Sequence, residues 1–289
     1  MYKFTIVTPT YNRAHLLQDM YISLKEQSEH DFEWIIVDDG STDNTRNVVA
    51  GFEGLSINYV YQENAGKPGA VNKGIGLANS YISTILDDDD ILLPNALEIV
   101  WGFFDATTEH FKNNCVVLSG HNIDKQDNSL VGAMFPSDNF VSDNISCRFN
   151  KHIGGDKCEF YITSVLKKYP FPIFNNEKFI TEAVVWNRIA LKYNALFVNK
   201  VFKRVEYLSD GLSANYRNLM LNNPEGAEIF FNEASTRRFN LDWQIRHSAI
   251  YIKFAKKNKR KRIFLNAGNK IIYPAGLCLY FLKEVIRKK

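Results

Sequence analysis

Four consecutive aspartates, Asp87 to Asp90, close the apolar run Tyr81-Ile82-Ser83-Thr84-Ile85-Leu86. Adjacent carboxylates repel, and burying one without a partner costs several kcal/mol. The run therefore suits either a solvated acidic turn ahead of a helix near Pro94 or a cation site. Side chains alternate along a strand, which sends Asp87 and Asp89 to one side and Asp88 to the other. Two converging carboxylates suit a hard divalent ion, Mg²⁺ or Mn²⁺, whose remaining positions take water and phosphate oxygens. Asp90 is expected to bond backbone N–H groups ahead of Pro94.

Two other segments carry groups that could hold a nucleotide: Thr8-Pro9-Thr10-Tyr11-Asn12-Arg13 and Val37-Asp38-Asp39-Gly40-Ser41-Thr42-Asp43. Tyr11 offers an aromatic face for stacking on a base, and Asp39 an acceptor for a uracil imide N–H or a ribose hydroxyl. Each also has a plain explanation, Tyr11-Asn12 as a turn and Asp43 as a helix cap. Lys67 precedes the helix expected at Pro68, where it would meet a phosphate at the helix N-terminus or stay solvated. The chain has neither G-x-x-x-x-G-K-[ST] nor G-x-G-x-x-G, which argues against a P-loop or a dinucleotide fold.

Apolar runs at residues 4–8, 32–37, 57–61, 81–86 and 116–119 read as short strands. Helical stretches fit residues 14–27, 68–78 and 94–110 between them. Strands alternating with helices imply an α/β fold with a mainly parallel central sheet flanked by helices. Ligands bind such sheets at the carboxyl ends of the strands. The three polar segments follow three strands and are expected on one rim.

The 289 residues and 45% hydrophobic content suffice for one large domain with an appendage. We divide the chain at 240, with a donor half at 1–120 and an acceptor half at 121–240. No apolar run reaches membrane-spanning length, and the first is too short for a signal peptide, so a cytosolic protein is expected. Its four cysteines are scattered, as in a chain of reduced thiols. Residues 253–289 hold twelve Lys or Arg against Glu284, so removing this +11 tail turns the overall +3 into −8 for residues 1–252. A net negative body argues against a nucleic-acid partner. The basic run 256–262, the interrupted apolar segment 271–282 and Arg287-Lys288-Lys289 suit shallow insertion at an anionic membrane, or a docked helix with a solvated basic face.

The ordered motifs resemble those of family 2 glycosyltransferases, inverting enzymes of the nucleotide-diphospho-sugar transferase fold called GT-A. The likeness runs from Lys3 to about Leu97. It rests on Thr8-Pro9-Thr10-Tyr11-Asn12, Val37 to Asp43, Gly66-Lys67 with Asn72-Lys73-Gly74-Ile75, and the aspartates followed by Pro94. It implies a UDP-type donor, with Thr8, Tyr11 and Asp39 on the base and Pro9 and Lys67 beside them. It also implies Asp87 and Asp89 on a divalent metal, and Asp88 or Asp87 near the ribose or donor sugar. The family carries its general base in a Glu-Asp pair opening a helix; the matching segment here keeps Glu182 but has Ala183 in second place. Glu182 is the expected base. Trp186 is expected to pack the helix or line the acceptor cleft, Asp210 to approach the diphosphate or form a turn, and His121 and Asp124 to face the acceptor. The acceptor would be lipid-linked or an oligosaccharide of a cell-surface polysaccharide, reached at the inner face of the membrane. Ala183 leaves an alternative, a nucleotide-sugar-binding protein of the same fold without catalysis.

Overall fold

In this computed structural model residues 1–105, 114–206 and 214–287 are described. The N-terminal half alternates β1 (Tyr2–Thr10), α1 (Leu17–Lys25), β2 (Phe32–Asp38), α2 (Thr45–Ala50), β3 (Ile57–Tyr61), α3 (Lys67–Leu77) and β4 (Ser80–Ile85). These four strands pair in parallel, β1 lying between β2 and β4. From Phe4 to Thr10 every side chain of β1 is buried, because both faces of the sheet are covered. Alternation splits those side chains between two cores. Phe4 and Ile6 join Leu17, Trp34 and Ile36 on one face; Val7 joins Ile35, Val37 and Val71 on the other. Gly74 brings α3 close to the second face, since a Cβ there would sit 2.3 Å from Val7 Cγ1.

The parallel order stops at β4. The remaining strands are β5 (Ile91–Leu92), β6 (Cys115–Asp124), β7 (Phe140–Ser142), β8 (Lys157–Ile162) and β9 (Asn194–Val205). Among the described residues they complete a sheet of order β3-β2-β1-β4-β8-β6-β9-β5, with β7 on β9. β8 runs antiparallel to both β4 and β6, so the second half of the sheet is mixed. The α/β layering holds throughout. Helix α4 covers Ala96–Asp105, and positions 106–110 of the expected helix lie outside the described residues. Strand β4 ends at Ile85, and Asp90 N–H donates to Asp87 O at 3.0 Å. The aspartates thus sit in a turn, where strand alternation does not govern them.

The C-terminal helices extend the second core. Helix Leu241–Lys257 packs on helix Pro224–Glu233, and its Phe254 belongs to the same cluster as Val7 and Phe230. Helix Tyr273–Arg287 lies against it through Tyr273, Leu277 and Tyr280. The packing therefore runs across position 240, and the change of charge comes later, at 253. Among the described residues no helix is long and apolar enough to cross a membrane.

Candidate active site

The parallel strands β1, β2 and β4 deliver their three polar segments to one cleft of about 800 Å³. Pro9, Tyr11, Asp39, Lys67, Asp87, Asp88, Asp89 and Glu182 all line it. Thr8 does not, which corrects its expected base contact. Its side chain follows the Phe4–Ile6 face of β1, where Trp34 Nε1 donates to Thr8 Oγ1 at 2.9 Å and the hydroxyl turns to Met20 Sδ at 3.4 Å. Tyr11 lies at the mouth, 48% exposed. Asn12 joins the first two loops, its Oδ1 accepting from Thr42 N–H at 2.7 Å. Asp43 accepts from Thr45 N–H at 3.0 Å, one residue ahead of the N-cap position, which Asn44 holds.

Each aspartate of the turn has a cation partner. Lys67 Nζ lies 2.7 Å from Asp87, and Arg13 Nη1 spans Asp88 at 3.1 Å and Asp89 at 3.0 Å. Thr10 Oγ1 donates to Asp88 Oδ2 at 2.8 Å. Asp90 is buried and pairs with Lys203 of β9, so its expected role as a turn cap ahead of Pro94 is corrected. β5 pairs with β9 at Leu92↔Lys203, which brings the lysine under the turn. Residue type and spacing gave no sign of Lys203. Arg13 closes the Tyr11-Asn12-Arg13 segment, and that adjacency was its only signal.

Burial pushes Asp88 up to about 6, against the pull of the Thr10 hydroxyl and Arg13. It also pushes Asp90 up, opposing Lys203, while Asp87 and Asp89 repel the same charge. Asp87 goes the other way: burial raises it, but Lys67 and then Lys203 hold it below the usual carboxylate range. Lys203→Met should leave Asp90 buried beside two other carboxylates. We expect a loss of about 3–5 kcal/mol of stability, read by denaturant unfolding; a loss below ~1 kcal/mol would contradict this account of the pair.

Three of these carboxylates converge. Asp87, Asp89 and Asp90 each offer an oxygen within 4.8 Å of the others. A hard divalent cation fits such an all-oxygen set, although each of the three carboxylates is also paired here, Asp87 with Lys67, Asp89 with Arg13 and Asp90 with Lys203.

Asp39 is occupied by its own loop. It accepts from Gln62 Nε2 at 2.7 Å and from the N–H groups of Ala65 and Gly66 at 2.8 Å each. These bonds shape the approach to Lys67. Gly66 has φ +81°, and a Cβ there would lie 2.1 Å from Lys178 O, so only glycine fits.

Glu182 stands immediately before helix Ala183–Ala190, and Lys67 reaches it at 2.8 Å. Lys67 thus joins Glu182 to Asp87 of the aspartate turn. Burial opposes its charge, but the two carboxylates outweigh that and hold it protonated. Trp186, one turn further on, lines the cleft and stacks on Tyr161 at 4.7 Å. His121 and Asp124 do not line it. His121 is buried, stacked on Phe135 at 4.5 Å and bonded to Asn199 at 2.8 Å, and Asp124 accepts from Gln126 N–H in a turn. Asp210 lies outside the described residues.

Comparison with known proteins identifies the family. The chain is 28% identical to the GalNAc(5)-diNAcBac-PP-undecaprenol beta-1,3-glucosyltransferase of Campylobacter jejuni, over 96% of this chain and 93% of that protein. It is 32% identical to the Escherichia coli UDP-Glc:alpha-D-GlcNAc-diphosphoundecaprenol beta-1,3-glucosyltransferase WfgD, over 45% of this chain and half of that one. Staphylococcus aureus TarS 1–349, solved with UDP, shares the fold with a TM-score of 0.64 at 18% identity, covering 99% of this chain and 91% of that one. The family profile described as Glycosyl transferase family 2 matches residues 5–169, more than half of the sequence. The chain belongs to glycosyl transferase family 2, and it is a glycosyltransferase.

Proposed function

We propose that the protein transfers a sugar from a UDP-type donor to a hydroxyl of a lipid-linked glycan, with inversion, in bacterial cell-surface polysaccharide assembly. One observation carries the reading: Lys67 holds Asp87 and Glu182 at 2.7 and 2.8 Å in a single cleft. The names of the relatives support the substrate classes, since one acts on an undecaprenol-PP glycan, another uses UDP-Glc, and TarS has been solved with UDP-GlcNAc.

Tyr11 offers its ring to the base, and Asp39 keeps the loop that presents Lys67. Asp87 and Asp89 would hold a divalent ion. When bound, that ion neutralises charge building on the diphosphate as the sugar–phosphate bond breaks. Lys67 and Arg13 add fixed positive charge at the same place. Glu182 takes the proton of the acceptor hydroxyl, which attacks from the face opposite the leaving group. An α-linked donor then gives a β-linked product. The test is release of UDP from UDP-sugars with Mn²⁺ and a diphosphoprenyl-linked sugar acceptor; release that ignores the acceptor contradicts the reading.

The C-terminal surface suits a membrane-held acceptor. Ile271, Phe281, Leu282 and Ile286 are each more than half exposed, and Lys259, Lys261, Arg262 and Lys270 of the same C-terminal stretch are exposed too. Basic residues near an anionic leaflet contribute about 1 kcal/mol each. Truncation at 254 would cut into the core through Phe254, so point changes make the better test. Wild type should sediment with phosphatidylglycerol-containing vesicles, and Ile271→Ser with Leu282→Ser and Ile286→Ser should stay in the supernatant. Equal sedimentation of both would overturn the membrane role.

A further inference from the structure

The residues used so far leave part of the cleft unassigned. In the sheet β8 lies on the side of β4 away from β1 and β2. The nucleotide-facing loops therefore flank the aspartates on one side and β8 on the other. Glu159 and Tyr161 of β8 line the cleft there, with Trp186 and Arg148. None of the four belongs to the donor side.

Their chemistry is that of a sugar subsite. Tyr161 OH donates to Glu159 Oε2 at 2.7 Å, and its ring stacks on the Trp186 indole at 4.7 Å with an interplanar angle of 18°. Phe171 meets the indole edge-on at 5.9 Å and fixes its plane. Among the described residues that one hydroxyl is the only hydrogen-bond donor on the Glu159 carboxylate, which has room for several more. No described side chain forms an ion pair with it; burial pushes its pKa up, and the charge of Arg148 opposes that. Trp186 N–H donates to Glu182 O at 3.2 Å, one turn earlier on the same segment, and Glu182, Glu159 and Tyr161 line the same cleft. A fixed aromatic plane next to an under-used carboxylate matches a pyranose, with C–H groups for the ring and hydroxyls for the acid.

We propose that Glu159, with the Tyr161–Trp186 stack, binds the terminal sugar of the acceptor and presents its hydroxyl to Glu182. This rests on the transferase reading above. It makes Glu159 a specificity-determining residue of the acceptor half, and Trp186 the platform.

Saturation-transfer NMR tests it, using the methyl α-glycosides of GlcNAc and GalNAc with UDP and Mn²⁺ present. At least one glycoside should bind the wild-type protein, and Glu159→Gln and Trp186→Ala should each weaken it at least tenfold. UDP affinity by calorimetry should stay within twofold in both variants. Glutamine can still accept the Tyr161 hydrogen bond, so Glu159→Gln should keep the wild-type melting temperature. Tyr161→Phe separates a packing role: if Glu159 serves only to hold Tyr161, that change reproduces Glu159→Gln, and the proposal falls. It also falls if UDP binds the wild type and neither glycoside does, or if Glu159→Gln binds as wild type. A glycoside that binds through Glu159 while UDP fails to bind would sink the transferase reading and leave the sugar subsite standing.

Discussion

Asp89→Asn is expected to lower acceptor-dependent UDP release by at least about 100-fold, the usual loss when one preorganised electrostatic contact to a developing charge is removed. The change keeps the side chain's shape and takes away one of the two carboxylates facing the proposed ion. Arg13 keeps its bond to Asp88 at 3.1 Å, so the turn should hold. Because Asp89 lies near the surface of the cleft and shares its cation, we expect a stability change of about 1 kcal/mol or less. Raising Mn²⁺ should recover part of the lost rate if binding of the ion is what failed. Turnover equal to wild type at limiting Mn²⁺ would remove Asp89 from the metal role.

Glu182→Gln should separate donor binding from transfer. A positioned carboxylate acting as general base contributes about 10²- to 10⁴-fold, and glutamine cannot take a proton. UDP affinity should change less, because Lys67 keeps Asp87 at 2.7 Å when it loses the charge of Glu182. The competing carboxylate is Glu159, already bonded to Tyr161 OH. Turnover of Glu182→Gln within threefold of wild type would move the base elsewhere in the cleft. Glu182 contacts Lys67 at 2.8 Å, and Ala183 beside it carries no acid, so this variant decides whether Glu182 alone serves as the base.

The donor half was legible because its signals are local. Apolar runs between helical stretches define β1, β2 and β4, and parallel pairing then carries Tyr11, Asp39 and Asp87 to one rim. Thr8 shows the limit of motif reasoning: it belongs to the segment, yet strand alternation turns its hydroxyl to Trp34. The acceptor half was less legible, because β8 enters antiparallel between β4 and β6 and its Glu159 stands next to nothing diagnostic in the sequence. Lys203 meets Asp90 across 113 residues, a pairing that only the β5–β9 contact creates. Glu182 was placed by resemblance alone; its link to Asp87 through Lys67 is a tertiary fact.

The proposed function requires this cleft to bind a nucleoside diphosphate between Tyr11 and the aspartate turn with the help of a divalent ion. Calorimetric titration of the wild-type protein with UDP, with and without Mn²⁺, tests it most directly. Saturable binding is expected with Mn²⁺, weakening at least tenfold when the ion is chelated and in Asp89→Asn. No binding of UDP in the presence of Mn²⁺, or equal binding in Asp89→Asn, would contradict it.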